Sequence, residues 1–272
     1  MQNIKPIRFL AIALVVVAFA KGTPATAQEL SGQEIARKAR QAFYYAGDDI
    51  KARVLMKLIS ERGKERTREL TMLRLDNGDA EEQKYYMYFH RPADVRAMAF
   101  MVWKYPGKDD DRWLYVPAIK LVQRIAADDK NSSFVGSDFS YEDVSGRTLE
   151  DDTHSLLREE MLDGTPAYVL ESVPREAKSA YYSRKVAWID KDTFLPLKEE
   201  YYDGRGTLYK TFTAEQIEEI QGIPTIMKRT MTNVQNGHRT EVTFPEVKYN
   251  VGLKDNLFSE RYLRNAPREW VQ

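Results

Sequence analysis

His90, His154 and His238 are the three histidines of the 272-residue chain, and general acid–base work or zinc binding would call on them first. They lie far apart, in Tyr85-Tyr-Met-Tyr-Phe-His90, in the acidic stretch Glu150-Asp-Asp-Thr-His154, and just after Asn236-Gly237. No His-x-x-x-His or His-Glu pair brings two ligands together, so they read as surface or edge residues. Gly136-Ser137-Asp138 sets a hydroxyl beside a carboxylate, but it lacks the strand–elbow–helix frame that exposes a nucleophilic serine. A turn that caps a short helix needs the same residue types, with Ser137 or Asp138 as the cap. Asp109-Asp110-Asp111 and Glu150-Asp151-Asp152 lack the spaced ligands and bend glycine of a tight calcium loop, and both read as solvated turns. For Asp138, Glu142 and Asp143, capping and loop fixing explain more than a paired-carboxylate site does. The chain has no cysteine, which removes disulfides, thiol nucleophiles and iron–sulfur ligation. The residues therefore predict no catalytic group, no metal and no cofactor.

The elements that carry these residues read as mostly β. Ser31 and Glu34 form a capping-box pair, and Ile35, Ala39, Ala42, Phe43 and Ala46 follow at helical spacing. They predict an amphipathic helix over about residues 32–46, ending at Gly47. Beyond it, alternating stretches rich in Val, Ile, Thr, Tyr and Phe predict antiparallel strands at 52–61, 66–75, 83–91, 95–104, 111–116, 121–126, 156–162, 166–173, 182–190, 194–202, 207–219, 223–234 and 239–249. Asp76-Asn77-Gly78, Asp163-Gly164, Asp203-Gly204 and Asn236-Gly237 tolerate the positive φ of hairpin turns. So many hairpin-linked strands imply a strongly curved sheet or a barrel, with Asp128 to Ser155 as its one long connection. No linker, repeat or low-complexity tract interrupts the pattern, which predicts a single domain over residues 28–272.

Lys5 and Arg8 precede an apolar run from Phe9 to Ala20, and Ala25-Thr26-Ala27 follows. This pattern predicts a secretory signal peptide over residues 1–27, cleaved near Ala27/Gln28 to leave a soluble periplasmic protein. The run is shorter than the roughly 20 apolar residues that span a bilayer. Cleavage removes Lys5, Arg8 and Lys21 and no acid, so the exported chain is slightly acidic and does not read as a nucleic-acid binder.

Two stretches depart from one-sided alternation. Tyr85-Tyr-Met-Tyr-Phe89 and Ala97-Met-Ala-Phe-Met-Val-Trp103 are apolar or aromatic on both faces, where a sheet with one wet face would alternate. A doubly buried strand and a strand lining a greasy cavity satisfy that pattern equally. Met56, Met72, Met87, Met98 and Met101 suit a surface that adapts to ligands of variable shape, although irregular cores also use methionine.

The stretch from Trp103 to Arg147 decides between them through its motifs. Trp113-x-Tyr115-x-Pro117, then Arg124, then Phe134-x-Gly136-Ser137-Asp138-Phe139-Ser140-Tyr141-Glu142-Asp143 resemble the LolA-like family of outer membrane lipoprotein-sorting proteins. Arg91-Pro-Ala-Asp-Val-Arg96 fits a further segment of that family, with Ala97 where the family usually has Gly. The resemblance implies a mainly β fold with a few helices: an incomplete, half-open antiparallel β-barrel of about 11 strands, like LolA and LolB, with a helical lid over an apolar cavity. It also implies a periplasmic carrier that binds the acyl chains of a lipid or lipoprotein. The loop type implies an inner-membrane exporter of the resistance-nodulation-division (RND) class as donor; the outer-membrane acceptor is not named by the sequence. On this reading Met87, Phe89, Met98, Phe100, Met101, Trp103, Trp113 and Tyr115 are the candidate cavity residues. Phe134, Gly136, Ser137, Asp138, Phe139, Tyr141, Glu142 and Asp143 form the candidate lid or partner loop. The competing expectations are a non-carrying accessory protein of an RND-type exporter, and an envelope lipid hydrolase, which would need Ser137 or Ser140 beside a histidine.

Overall fold

The computed structural model describes residues 29–78 and 82–272; the predicted signal peptide lies outside the described residues. Helix α1 (Gly32–Tyr44) starts where the capping box predicts. The Glu34 amide donates to Ser31 Oγ at 3.2 Å, and the Ser31 amide donates to Glu34 Oε2 at 2.8 Å, so two orphan amides of the first turn are satisfied. A Cβ on Gly32 would lie 2.7 Å from the His154 carbonyl oxygen and the Leu156 nitrogen. Glycine is what lets the helix start directly against a strand.

Among the described residues thirteen strands follow, two more than the resemblance implies and as many as the alternating segments. They are β1 (Asp49–Ile59), β2 (Glu65–Asp76), β3 (Gln83–Arg91), β4 (Ala99–Lys104), β5 (Asp111–Val116), β6 (Leu121–Ile125), β7 (Asp152–Leu162), β8 (Thr165–Pro174), β9 (Arg184–Asp190), β10 (Pro196–Tyr202), β11 (Leu208–Ile220), β12 (Ile223–Asn233) and β13 (His238–Tyr249). They form one antiparallel sheet in the order β6-β5-β4-β3-β2-β1-β13-β12-β11-β10-β9-β8-β7. The first and last strands thus meet in the middle, Ile50 opposite Tyr249, and the edges β6 and β7 do not pair with each other. The sheet is an open barrel. The chain from 126 to 151 joins its two edges and carries the short helix α2 (Tyr141–Ser145).

Two boundaries differ from the sequence reading for local reasons. Residues 92–98 turn instead of extending β4, with Ala97 at φ 64° and its amide donating to the Phe89 carbonyl at 2.9 Å. Strand β7 begins at Asp152, so His154 is a strand residue paired opposite Ser172 and not part of the loop.

Strand alternation divides the side chains into two faces. On the inner face, Val54 and Met56 of β1, Met87 and Phe89 of β3, Phe100 and Val102 of β4, Phe212 of β11, Met231 of β12 and Val242 and Phe244 of β13 join one buried cluster. On the outer face of β2 to β5, Leu73, Tyr86, Ala99 and Met101 pack against Leu253, Leu257, Phe258 and Leu263 from the segment after β13. That segment contains the short helices α3 (Glu260–Arg264) and α4 (Arg268–Val271). It is pinned by Trp103 Nε1 donating to the Phe258 carbonyl and Tyr86 Oη to the Tyr262 carbonyl, both at 2.8 Å. At its start, the buried Asp49 carboxylate accepts the amides of Val251, Gly252 and Leu253 at 2.7, 2.8 and 2.9 Å.

Candidate functional site: the inner face and its cover

The inner face is apolar across most of the sheet and needs a cover, since exposed it would lose about 25 cal/mol per Å² of apolar area. The cover has two pieces. Helix α1 lies over β7 to β9, where Ile35 and Ala36 pack against Leu170, Ala187 and Ile189. Its last turn brings Ala42 and Phe43 to the inner cluster, and Ala46 joins them just beyond the helix end. The 126–151 connection supplies the second piece through Phe134, Phe139 and Tyr141, all buried in that cluster. Phe134 lies 5.2 Å from Phe100 and 6.1 Å from Phe89, and Tyr141 lies 5.3 Å from Phe100, measured between ring centroids. Such tilted and edge-on pairs are favourable arrangements for rings.

The loop is shaped by its own short-range bonds. Val135 and Gly136 turn consecutively at φ 48° and 76°. Ser137 Oγ donates to the Phe134 carbonyl at 2.8 Å and Ser133 Oγ to the Ser137 carbonyl at 2.6 Å. The helix cap is not Ser137 or Asp138, as the residue types alone suggest. Ser140 and Asp143 form the capping box of α2: the Asp143 amide donates to Ser140 Oγ at 3.0 Å and the Ser140 amide to Asp143 Oδ2 at 2.7 Å. Asp138 instead staples the loop to the sheet. Its Oδ2 accepts from Thr240 Oγ1 and from His238 Nδ1, both at 2.7 Å, while its carbonyl accepts from Lys210 Nζ at 2.7 Å. Asp138→Ala should cost roughly 1–3 kcal/mol, because buried Thr240 loses its acceptor, and amide exchange across 134–143 should accelerate more than in β1 to β3. Unchanged exchange in that loop would remove the staple from the account.

Beside the apolar half lies a charged one. Arg147 bonds Asp152 at 2.9 Å and Glu142 at 3.2 Å, and Tyr182 Oη donates to Asp152 Oδ2 at 2.8 Å. Lys130 pairs with Glu142 at 2.9 Å, and Lys185 with Glu199 at 2.9 Å. Burial raises the Asp143 carboxyl above its ordinary value against the opposing pull of Lys210, and burial lowers the Lys210 ammonium. Asp143 borders a cavity of about 110 Å³ under α1. The acidic runs are only in part the solvated turns that composition suggests, since Asp109 and Glu150 are exposed while one carboxylate of each run is buried. Asp110 is buried between Lys104 and Arg112, at 3.3 and 2.6 Å, and Asp152 is buried as described.

Two smaller cavities lie within the apolar half, of about 70 and 40 Å³. Both are bordered by Met72, Val144, Arg229 and Phe244; Phe43 closes the first, Phe134 and Phe139 the second. Spaces of this size hold a few waters. The rest of the chamber is filled by the protein's own apolar side chains, with Phe43, Phe134, Phe139 and Tyr141 the largest from the cover.

Comparison with known proteins places this arrangement. A domain from Vibrio parahaemolyticus assigned to outer membrane lipoprotein sorting is 32% identical, with a TM-score of 0.79 over 86% of this chain and 98% of its own. A DUF1329 family protein from Desulfovibrio piger is 33% identical, with a TM-score of 0.80 over 85% of this chain and 97% of its own. The chain belongs to the outer membrane lipoprotein-sorting, LolA-like family. A family described as uncharacterized protein-like matches residues 81–265, and no curated protein matches the sequence. A LolA superfamily protein from Nitrosomonas europaea, 21% identical with a TM-score of 0.67 over 86% of this chain and 100% of its own, shares the fold.

Within this LolA-like frame the eight candidate cavity residues separate. Met87, Phe89, Met98 and Phe100 belong to the inner cluster, whereas Met101, Trp103, Trp113 and Tyr115 lie on the outer face under the C-terminal segment. Strand period two forces the split, because residues 100 and 101 point to opposite sides. Of the loop residues, Phe134, Phe139 and Tyr141 face the chamber, Asp138 and Asp143 fix the loop, and Glu142 joins the charged half. Ser137 and Ser140 direct their hydroxyls to loop backbone groups, and neither bonds a histidine among the described residues. His90 meets Thr71 Oγ1 and Arg53, and His154 meets Ser172 Oγ and the Leu149 carbonyl. Phe43 is legible in the sequence only as a helix-spaced residue, and Val144 and Arg229 carry no signal there, since nothing in the pattern of β12 singles out Arg229.

Proposed function

We propose that this LolA-like protein is a periplasmic carrier that takes the acyl chains of a lipid or lipoprotein into its inner chamber and shuttles them from an inner-membrane exporter towards the outer membrane. One observation carries the reading: the apolar inner face is covered by a loop and a helix turn, not by a second sheet. Phe43, Phe134, Phe139 and Tyr141 occupy the space that hydrocarbon would take. An acyl chain gains about 0.8 kcal/mol per methylene on leaving water. If it displaces these rings, one apolar filling replaces another, and the loaded and empty states stay close enough in free energy for cargo to be released. Within the covering loop, residues 134–139 are held to β11 and β13 by the bonds of Asp138, so this part can take a second position while Asp143 and Arg147 keep the end of the loop tied to Tyr181 and Asp152. The Phe134-to-Asp143 motif supports an RND-type exporter as donor.

Fluorescence titration with a neutral naphthylamine probe tests the carrier. Saturable binding near one site per chain, displaced by long-chain lipids and associated with faster amide exchange in 126–151, is the expected result. No probe binding, together with no lipid-sized mass in native mass spectra of protein purified from its own envelope, would sink it.

A further inference from the structure

Arg229 of β12 has no ion pair and no hydrogen bond among the described residues, although it stands in the apolar half of the chamber. Its Nε is fully buried without a partner, and its guanidinium borders both apolar cavities. Three rings hold it: Phe43 of α1 at 5.2 Å, Phe139 of the loop at 5.6 Å and Phe244 of β13 at 5.1 Å from Cζ to centroid. Ring faces stabilise the positive charge, but they leave the in-plane N–H fork without acceptors. A guanidinium presents five donors and cannot shed its charge in a protein, and buried charges are ordinarily paired.

The neighbouring groups are already committed. The Asp143 carboxylate accepts from the Ser140 amide and from Tyr181 Oη, and Glu199 accepts from Lys185 and Tyr201. Tyr44 donates to the Asp143 carbonyl and Tyr85 to Gln83 Oε1. Arg68, a second arginine with no bond, is buried against Gly136 and borders neither cavity. The charge of Arg229 and its open fork therefore face the space that hydrocarbon would fill.

We propose that Arg229 receives the anionic end group of the cargo, a carboxylate or a phosphate attached to one or two acyl chains that fill the chamber once the covering rings are displaced. The planar fork matches both groups through two parallel N–H···O bonds, and Phe244 of the sheet wall, together with the acyl chains that take the place of Phe43 and Phe139, would exclude water from them. A neutral ester end group leaves the fork unsatisfied, so the site selects against it. This inference rests on the carrier reading and narrows its cargo to anionic lipids.

Displacement of the neutral naphthylamine probe by palmitate, palmityl phosphate and methyl palmitate tests it. Wild-type protein should bind the two anions about ten- to a hundredfold more tightly than the ester, the range for hydrogen bonds to a charged group. Arg229→Met should reduce that preference to about twofold or less while methyl palmitate binding persists, and Arg229→Lys, with charge but no fork, should fall between. Should Arg229→Met fail to fold, Arg229→Gln serves in its place, and the wild-type comparison needs no variant. Equal affinities for acid and ester, or a preference that survives loss of the arginine, overturn the anion site and leave the carrier standing. If no lipid displaces the probe, both readings fall.

Discussion

Phe134→Ala should destabilise the protein by about 3–5 kcal/mol and at the same time raise its affinity for acyl chains. The ring is 2% exposed and packs on Phe89, Phe100 and Tyr141, so truncation leaves a void whose lining loses its contacts. That void lies in the chamber, beside the cavity that Phe134 and Phe139 close. A ring supplied by the covering loop competes with cargo, so removing it should favour the loaded state by the amount the empty state loses. Phe100→Ala, from the sheet wall of the same cluster, should lower stability and affinity together because it removes part of the binding surface. Denaturant unfolding and probe titration on both variants separate the cases. Parallel losses in the two variants would mean that Phe134 is wall and not cover.

The second large effect is expected at Asp49. Its carboxylate accepts three consecutive amides of the segment that follows β13, and each bond to a charged acceptor contributes roughly 1.5–3 kcal/mol. Asp49→Ala leaves those amides with no acceptor at the point where the chain turns onto the outer face. The contributions are not additive, so about 3 kcal/mol is expected in total, with Asp49→Asn milder because one oxygen still accepts. The loss should be local first: amides of 251–272 should exchange faster, and Trp103, whose indole N–H meets the Phe258 carbonyl, should report the change by fluorescence. Exchange that rises equally in every strand would contradict a local anchor.

Sequence pattern carried the strands well, because a period of two with turn residues between is a local signal. It also found α1, whose cap and spacing lie within one short window. What it could not give was side. Tyr85 to Phe89 and Ala97 to Trp103 are apolar on both faces because the loop covers one and the C-terminal segment the other, and alternation says only that neighbours point apart. The C-terminal cover itself left no periodic trace, since α3 and α4 span five and four residues. Asp138 was misassigned for a related reason. A carboxylate ahead of a short helix has the composition of a cap, while its real partners, Thr240 and His238, lie about a hundred positions downstream. The loop motif was the most telling part of the sequence, and it marked the rings that fill the chamber.

The pairing of β1 with β13 bears on the order in which the molecule can assemble. Each half of the sheet is a run of hairpins that can zip locally, but the seam between the halves joins Ile50 to Tyr249, about two hundred residues apart. Closing so long a loop carries an entropic penalty that only the finished seam offsets. As the chain grows from its N-terminus, β1 therefore waits with one unpaired edge until β13, the last strand made, arrives. An unpaired edge of that kind recruits other strands. The polypeptide is thus most open to wrong pairing, and most in need of a holding chaperone, during the interval before its final strand emerges.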